Sequence, residues 1–93
     1  MDDVARLRQE VDRAQRAADV LNNALVKEAF EALEKQLIEG LIQTSADEDR
    51  KREKIHMMLL MGRKWQGLFK NMMETGKLAS LQLDEKRKLR LWG

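Results

Sequence analysis

Ninety-three residues with 37% charged and 43% hydrophobic side chains, no proline and no cysteine exclude a disulfide-stapled scaffold, a thiolate metal site and a long disordered linker. The net charge of +2 is unevenly placed, at −1 over 1–23, −2 over 24–45, +2 over 46–76 and +3 over 77–93. Such asymmetry can draw copies together, or aim the C-terminal half at an acidic partner or a phosphate backbone. The balance of Ala, Leu, Met and charged residues, without tyrosine, predicts an all-α fold.

Asp2 and Asp3 can cap a first helix, and Val4, Leu7, Val11, Ala14, Ala18 and Leu21 follow in heptad steps. The small Ala14, Ala17 and Ala18 leave room for a second helix, so this seam predicts an oligomer or partner-helix interface. Asn22-Asn23 either ends this helix and caps the next or lies inside one long, bent helix.

The stripe resumes in a shifted phase as Val26, Phe30, Leu33, Leu37 and Leu41, flanked by Leu25, Ala29 and Ile38. Ser45-Ala46-Asp47-Glu48 has the form of a capping box. Beyond it Ile55, Met58, Gly62, Trp65, Phe69 and Met72 share one helix face. Gly76 stands where a left-handed cap would stop the helix. The short connection predicts an antiparallel hairpin of helices at about 24–43 and 46–75. Facing positions should then sum to about 92 on equal rise, setting Leu37 on Ile55, Leu33 on Leu59 and Phe30 on Gly62. The expectation is one domain over 1–93: a coiled-coil-like heptad helix at 1–23, the hairpin at 24–75, and a basic segment at 76–93 ending as a short helix or tail. Trp65, Phe69, Met72 and Met73, at the far end of the second stripe, need cover from the first helix, from residues 78–83 or from another chain.

Catalytic patterns do not emerge. The chain has no glycine-rich phosphate loop and no Gly-x-Ser-x-Gly elbow. His56 is the single histidine, on a charged face with no second histidine to share a metal. Acids at 47–49 are accounted for by the positive end of a helix. No enzyme, metal, cofactor or small-molecule substrate is expected. The longest apolar run, 57–61, falls far short of the roughly 20 residues needed to cross a bilayer, and the N-terminus lacks the layout of a secretory signal. A soluble protein with no membrane partner follows.

Two basic features remain. Arg50, Arg52, Arg63 and Lys70 lie along one side of the third helix, and Lys86, Arg87, Lys88 and Arg90 interleave with Leu89, Leu91 and Trp92 in the tail. Cations with an aromatic can pair with phosphates while the indole stacks. The same tail can instead anchor Trp92 in a pocket on a partner protein.

Leu21-Asn22-Asn23-Ala24-Leu25 with Lys27-Glu28-Ala29-Phe30-Glu31-Ala32-Leu33-Glu34, and Glu74-Thr75-Gly76-Lys77-Leu78-Ala79 with Leu81-Gln82-Leu83, resemble segments of small helical proteins encoded near the head and DNA-packaging genes of tailed bacteriophages. The resemblance covers about 18–84. Ala24 stands where relatives often carry proline. The resemblance implies a non-enzymatic assembly or DNA-packaging factor acting as a helical oligomerisation module, similar in role to a small terminase subunit, in the infected cytoplasm or the virion. No helix-turn-helix pattern accompanies it. The alternatives are a virion adaptor for capsid or portal proteins and a small inhibitor of a host protein.

Overall fold

A computed structural model describes residues 2–92, with Asp2 and Trp92 described by their backbone alone. Its elements are three helices, α1 (Asp2–Asn22), α2 (Ala24–Gln43) and α3 (Asp49–Trp92), and no strand occurs among the described residues. The chain divides into two compact units, Asn22–Gly67 and Met1–Leu21 with Leu68–Gly93.

The asparagine pair breaks the helix. Asn23 leaves it with an extended backbone (φ −64°, ψ 126°), and its side-chain oxygen accepts from the backbone N–H groups of Leu25 at 2.9 Å and Val26 at 3.1 Å. These are two of the donors a helix start leaves unpaired. Proline is therefore not needed before Leu25, because the cap alone starts α2.

In the unit Asn22–Gly67, α2 and the first part of α3 meet through the stripes read from the sequence, in a different register. Phe30 packs on Trp65 with ring centroids 4.9 Å apart. Arg63 reaches Glu34 at 3.1 Å, and a Cβ built on Gly40 would lie 3.2 Å from Ile55 Cδ1. Two of these contacts join positions that sum to 95, against the expected 92. Thr44 supplies the reason. Its backbone is extended (φ −71°, ψ 136°), which carries the chain past the end of α2 before it turns, and α3 starts at Asp49 rather than Ala46.

The shift corrects the role given to Gly62. Phe30 stacks on Trp65, and a Cβ added at Gly62 or at Gly67 would meet nothing within 4 Å. Overpacking by a side chain at 62 is therefore not expected. Gly67→Ala should stabilise the protein by about 0.8–1 kcal/mol through helix propensity, read as a higher urea midpoint at unchanged slope. A lower midpoint would mean that the space beside this glycine is filled.

In the other unit the heptad seam is covered by the chain itself. Leu7 is 2% exposed, Ala17 3% and Ala79 1%. Val4, Val11, Ala14 and Ala18 are half-buried, as are Phe69, Met73 and Leu83 on the α3 side. Gly76 does not end α3. It is helical and buried, and a Cβ there would collide with the Ala14 Cβ and approach the Glu10 carbonyl oxygen at 2.9 Å. The residue read as a stop is the point of closest approach between α1 and α3, where only a glycine fits. Residues 77–92 consequently continue the helix rather than forming a separate segment.

Candidate interaction surfaces

The connection between α2 and α3 is held by polar side chains. Ser45 donates from its backbone N–H to Glu48 Oε1 at 3.1 Å, and its single Oγ–H is shared between Glu48 Oε1 and Asp47 Oδ1 at 2.8 and 2.7 Å. The expected capping box forms only in part and ahead of the helix. Glu48 accepts from the Ser45 N–H, but the Glu48 N–H donates to the Ser45 carbonyl at 3.1 Å rather than to the hydroxyl. α3 starts at Asp49, with the Glu48 carbonyl accepting from the Arg52 N–H at 3.1 Å. Hydrogen bonds from Ser45 hold the carboxyls of both Asp47 and Glu48 below their ordinary values, helped at Glu48 by the positive charge of Lys51. A carboxyl depressed in the folded state contributes stability above its unfolded pKa and loses it as pH falls through the folded value. The turn should therefore loosen as acidification passes through the usual carboxylate range and below it. Ser45→Ala should return both carboxyls toward ordinary values, read by NMR titration of their side-chain carbons. Unchanged titration curves would remove Ser45 as the cause.

Two of the cations expected to face nucleic acid are occupied within the chain. Arg52 donates to the Ser45 carbonyl at 2.9 Å and to Thr44 Oγ1 at 3.4 Å, clamping the turn. Arg63 is paired with Glu34. Arg50, Lys70, Lys86, Arg87, Lys88 and Arg90 are exposed, and among the described residues none of these six forms an ion pair. The last four lie on the terminal turns of α3, where positive charge also complements the negative helix end.

Of the residues expected at an oligomer or partner interface, Leu7 is buried within the chain. Its partner helix is intramolecular, which corrects its assignment to a contact between chains. Val4, Val11, Ala14 and Ala18 line the same seam. Trp65 is stacked on Phe30 yet 43% exposed, and Met72 is exposed whereas Phe69 and Met73 are half-buried. The indole of Trp92 lies outside the described residues.

A surface that the stripes alone did not single out lies in the unit Asn22–Gly67. Val26, Ala29, Phe30, Leu33, Gly62 and Trp65 line an open groove of about 440 Å³. Its signal in the sequence is Ala29 together with Leu25, which flank the stripe residues Val26, Phe30 and Leu33 on one side. No residue of α2 is buried, and Leu25, Leu33, Met57, Met58 and Met61 are exposed on this unit. Isolated apolar side chains are ordinary on a protein surface, but a contiguous set marks an interaction site.

Among the described residues no group of three or more His, Asp or Glu side chains is placed to hold a metal ion. None of the helices is long and apolar enough to cross a membrane. No protein family, curated protein or solved structure compared with the chain matches it.

Proposed function

We propose that this protein is a non-enzymatic assembly factor, a helical interaction module that works by docking exposed helix faces onto other chains. Its working element is an antiparallel hairpin of α2 and the first part of α3, and its setting is the head-assembly or DNA-packaging apparatus of a tailed phage. The observation that carries the reading is the apolar groove on a unit in which no residue from Asn22 to Gly67 is buried. A two-helix element must cover its apolar stripe with another element, and below about 70–80 residues a single core rarely supplies more than 3–5 kcal/mol. The setting rests on the resemblance over 18–84.

The test is titration of the purified chain against purified portal, capsid and terminase proteins of a tailed phage that encodes it. Binding to at least one, lost on Leu33→Glu, is the expected result. Binding to none of them rejects the setting.

The exposed cations at 86–90 favour a DNA-touching version of this role over a purely protein-binding adaptor. If they contact duplex DNA, each phosphate neutralised adds about 0.9 to the slope of log affinity against log salt. Reversing the charges of Lys86, Arg87, Lys88 and Arg90 should lower both affinity and slope. Absence of duplex or single-stranded DNA binding at low salt removes this version and leaves the adaptor.

A further inference from the structure

We infer that the groove of the unit Asn22–Gly67 is covered by a second copy of the chain, packed face to face about a twofold axis parallel to the helices, with α2 of each copy on α3 of the other. The inference rests on the hairpin reading above and names its partner.

The apolar surface is one-sided. At about 100° per residue, Leu25, Ala29 and Leu33 on α2 and Met58, Met61 and Trp65 on α3 lie along the same side of the hairpin. The Glu34–Arg63 pair marks the other. Two such sides stacked against each other make a four-helix arrangement in which both apolar faces leave water. A twofold pairing needs only one self-complementary patch.

Charge selects among the possible stackings. Residues 24–43 carry two bases and four acids, net −2, whereas residues 49–67 carry six bases and two acids, net +4. Laying α2 on α2 would set like charges together, while laying α2 on α3 of the second copy pairs opposite ones. An axis parallel to the helices produces that arrangement and also keeps every residue at its own height. Because positions summing to 95 are level within one copy, the heights follow. Glu39 is level with position 56, about 3 Å from the height of Lys54 at 1.5 Å per residue. Glu28 is level with position 67, about 4.5 Å from the height of Lys64. Leu33 is level with position 62 and comes opposite Met61 of the second copy. The helical phase of Glu28 and Glu39 sets them on the outer rim of the apolar side, within reach of those lysines once helix axes approach to 8–10 Å.

The experiment is sedimentation of the full chain, expected to give twice the 10.9 kDa of one copy. Met61→Glu should yield a monomer that keeps its helical circular dichroism, because Met61 is 67% exposed in the single chain. Glu39→Lys should weaken the dimer by about 2- to 25-fold, two symmetry-related rim pairs each contributing a factor of about 1.4–5. Adding Lys54→Glu to the same chain should restore it. Since the protein has no cysteine, oxidation of mixed Leu33→Cys and Met61→Cys chains should cross-link unlike copies in preference to like ones. A monomer at millimolar concentration, a dimer indifferent to Met61→Glu, or preferential linking of Leu33→Cys to itself each overturns the inference. A monomer that still binds a portal, capsid or terminase protein through this face gives the groove to that partner and leaves the interaction-module reading standing. A dimer that binds none of them does the reverse.

Discussion

Gly76→Ala is expected to destabilise the unit Met1–Leu21 with Leu68–Gly93 by about 1–3 kcal/mol, although alanine in place of a helix-interior glycine ordinarily gains about 1 kcal/mol. The sign reverses because the added Cβ meets atoms that cannot rotate away. It collides with the Ala14 Cβ and comes within 2.9 Å of the Glu10 carbonyl oxygen, so α1 must move off α3 and the seam around Leu7, Ala17 and Ala79 opens. Adding Ala14→Gly, which costs about 1 kcal/mol by itself, removes the nearest obstacle. The double mutant should therefore be more stable than the sum of the two single changes implies, a coupling of the kind expected between residues in contact. The measurement is a double-mutant cycle in urea, with Gly67→Ala as the unhindered control. Strict additivity, or a Gly76→Ala protein as stable as the parent, would mean that the two helices do not cross at this point.

Leu7→Ala should cost about 2–5 kcal/mol, the range for truncating a buried leucine. Leu7 is the largest fully buried side chain among the described residues. A chain with so few buried groups has little else to absorb the cavity, and total stabilities of small domains are themselves only about 5–15 kcal/mol. The diagnostic feature is concentration dependence. Burial within the chain makes the midpoint shift the same at every protein concentration, whereas burial between chains would make it vary by mass action. A shift that grows on dilution would return the seam to an interface between copies. The same logic separates α1 from the groove of the unit Asn22–Gly67, where substitutions at Met61 should change association and leave the unfolding of a single copy nearly unaltered.

The helical class and the polar turn at Ser45–Glu48 were legible in the sequence because each depends on neighbours within four positions, whereas the asparagine pair fitted a cap and a bent continuous helix alike until the structure showed Asn23 capping α2. An asparagine oxygen two and three residues before waiting N–H groups caps a helix regardless of what surrounds it. A serine three residues before a glutamate closes its turn in the same local way. The stripes at 26–41 and 55–72 were equally legible, since helical period alone sets which residues share a face.

Three features required tertiary structure. The register of α2 on α3 depends on the extended backbone at Thr44, whose effect is only visible once the helices meet. The roles of the glycines depend on what stands opposite them: Gly62 and Gly67 face open space, while Gly76 admits α1. From the sequence alone, a glycine near a helix end reads as a stop, because the helix that comes to lie on it is about sixty residues distant in the chain. For the same reason, the heptads at 4–21 specified a helix partner but not that α3 would be that partner. A hydrophobic seam encodes the shape and chemistry of what covers it, and the identity of the covering helix is decided only by the path the chain takes.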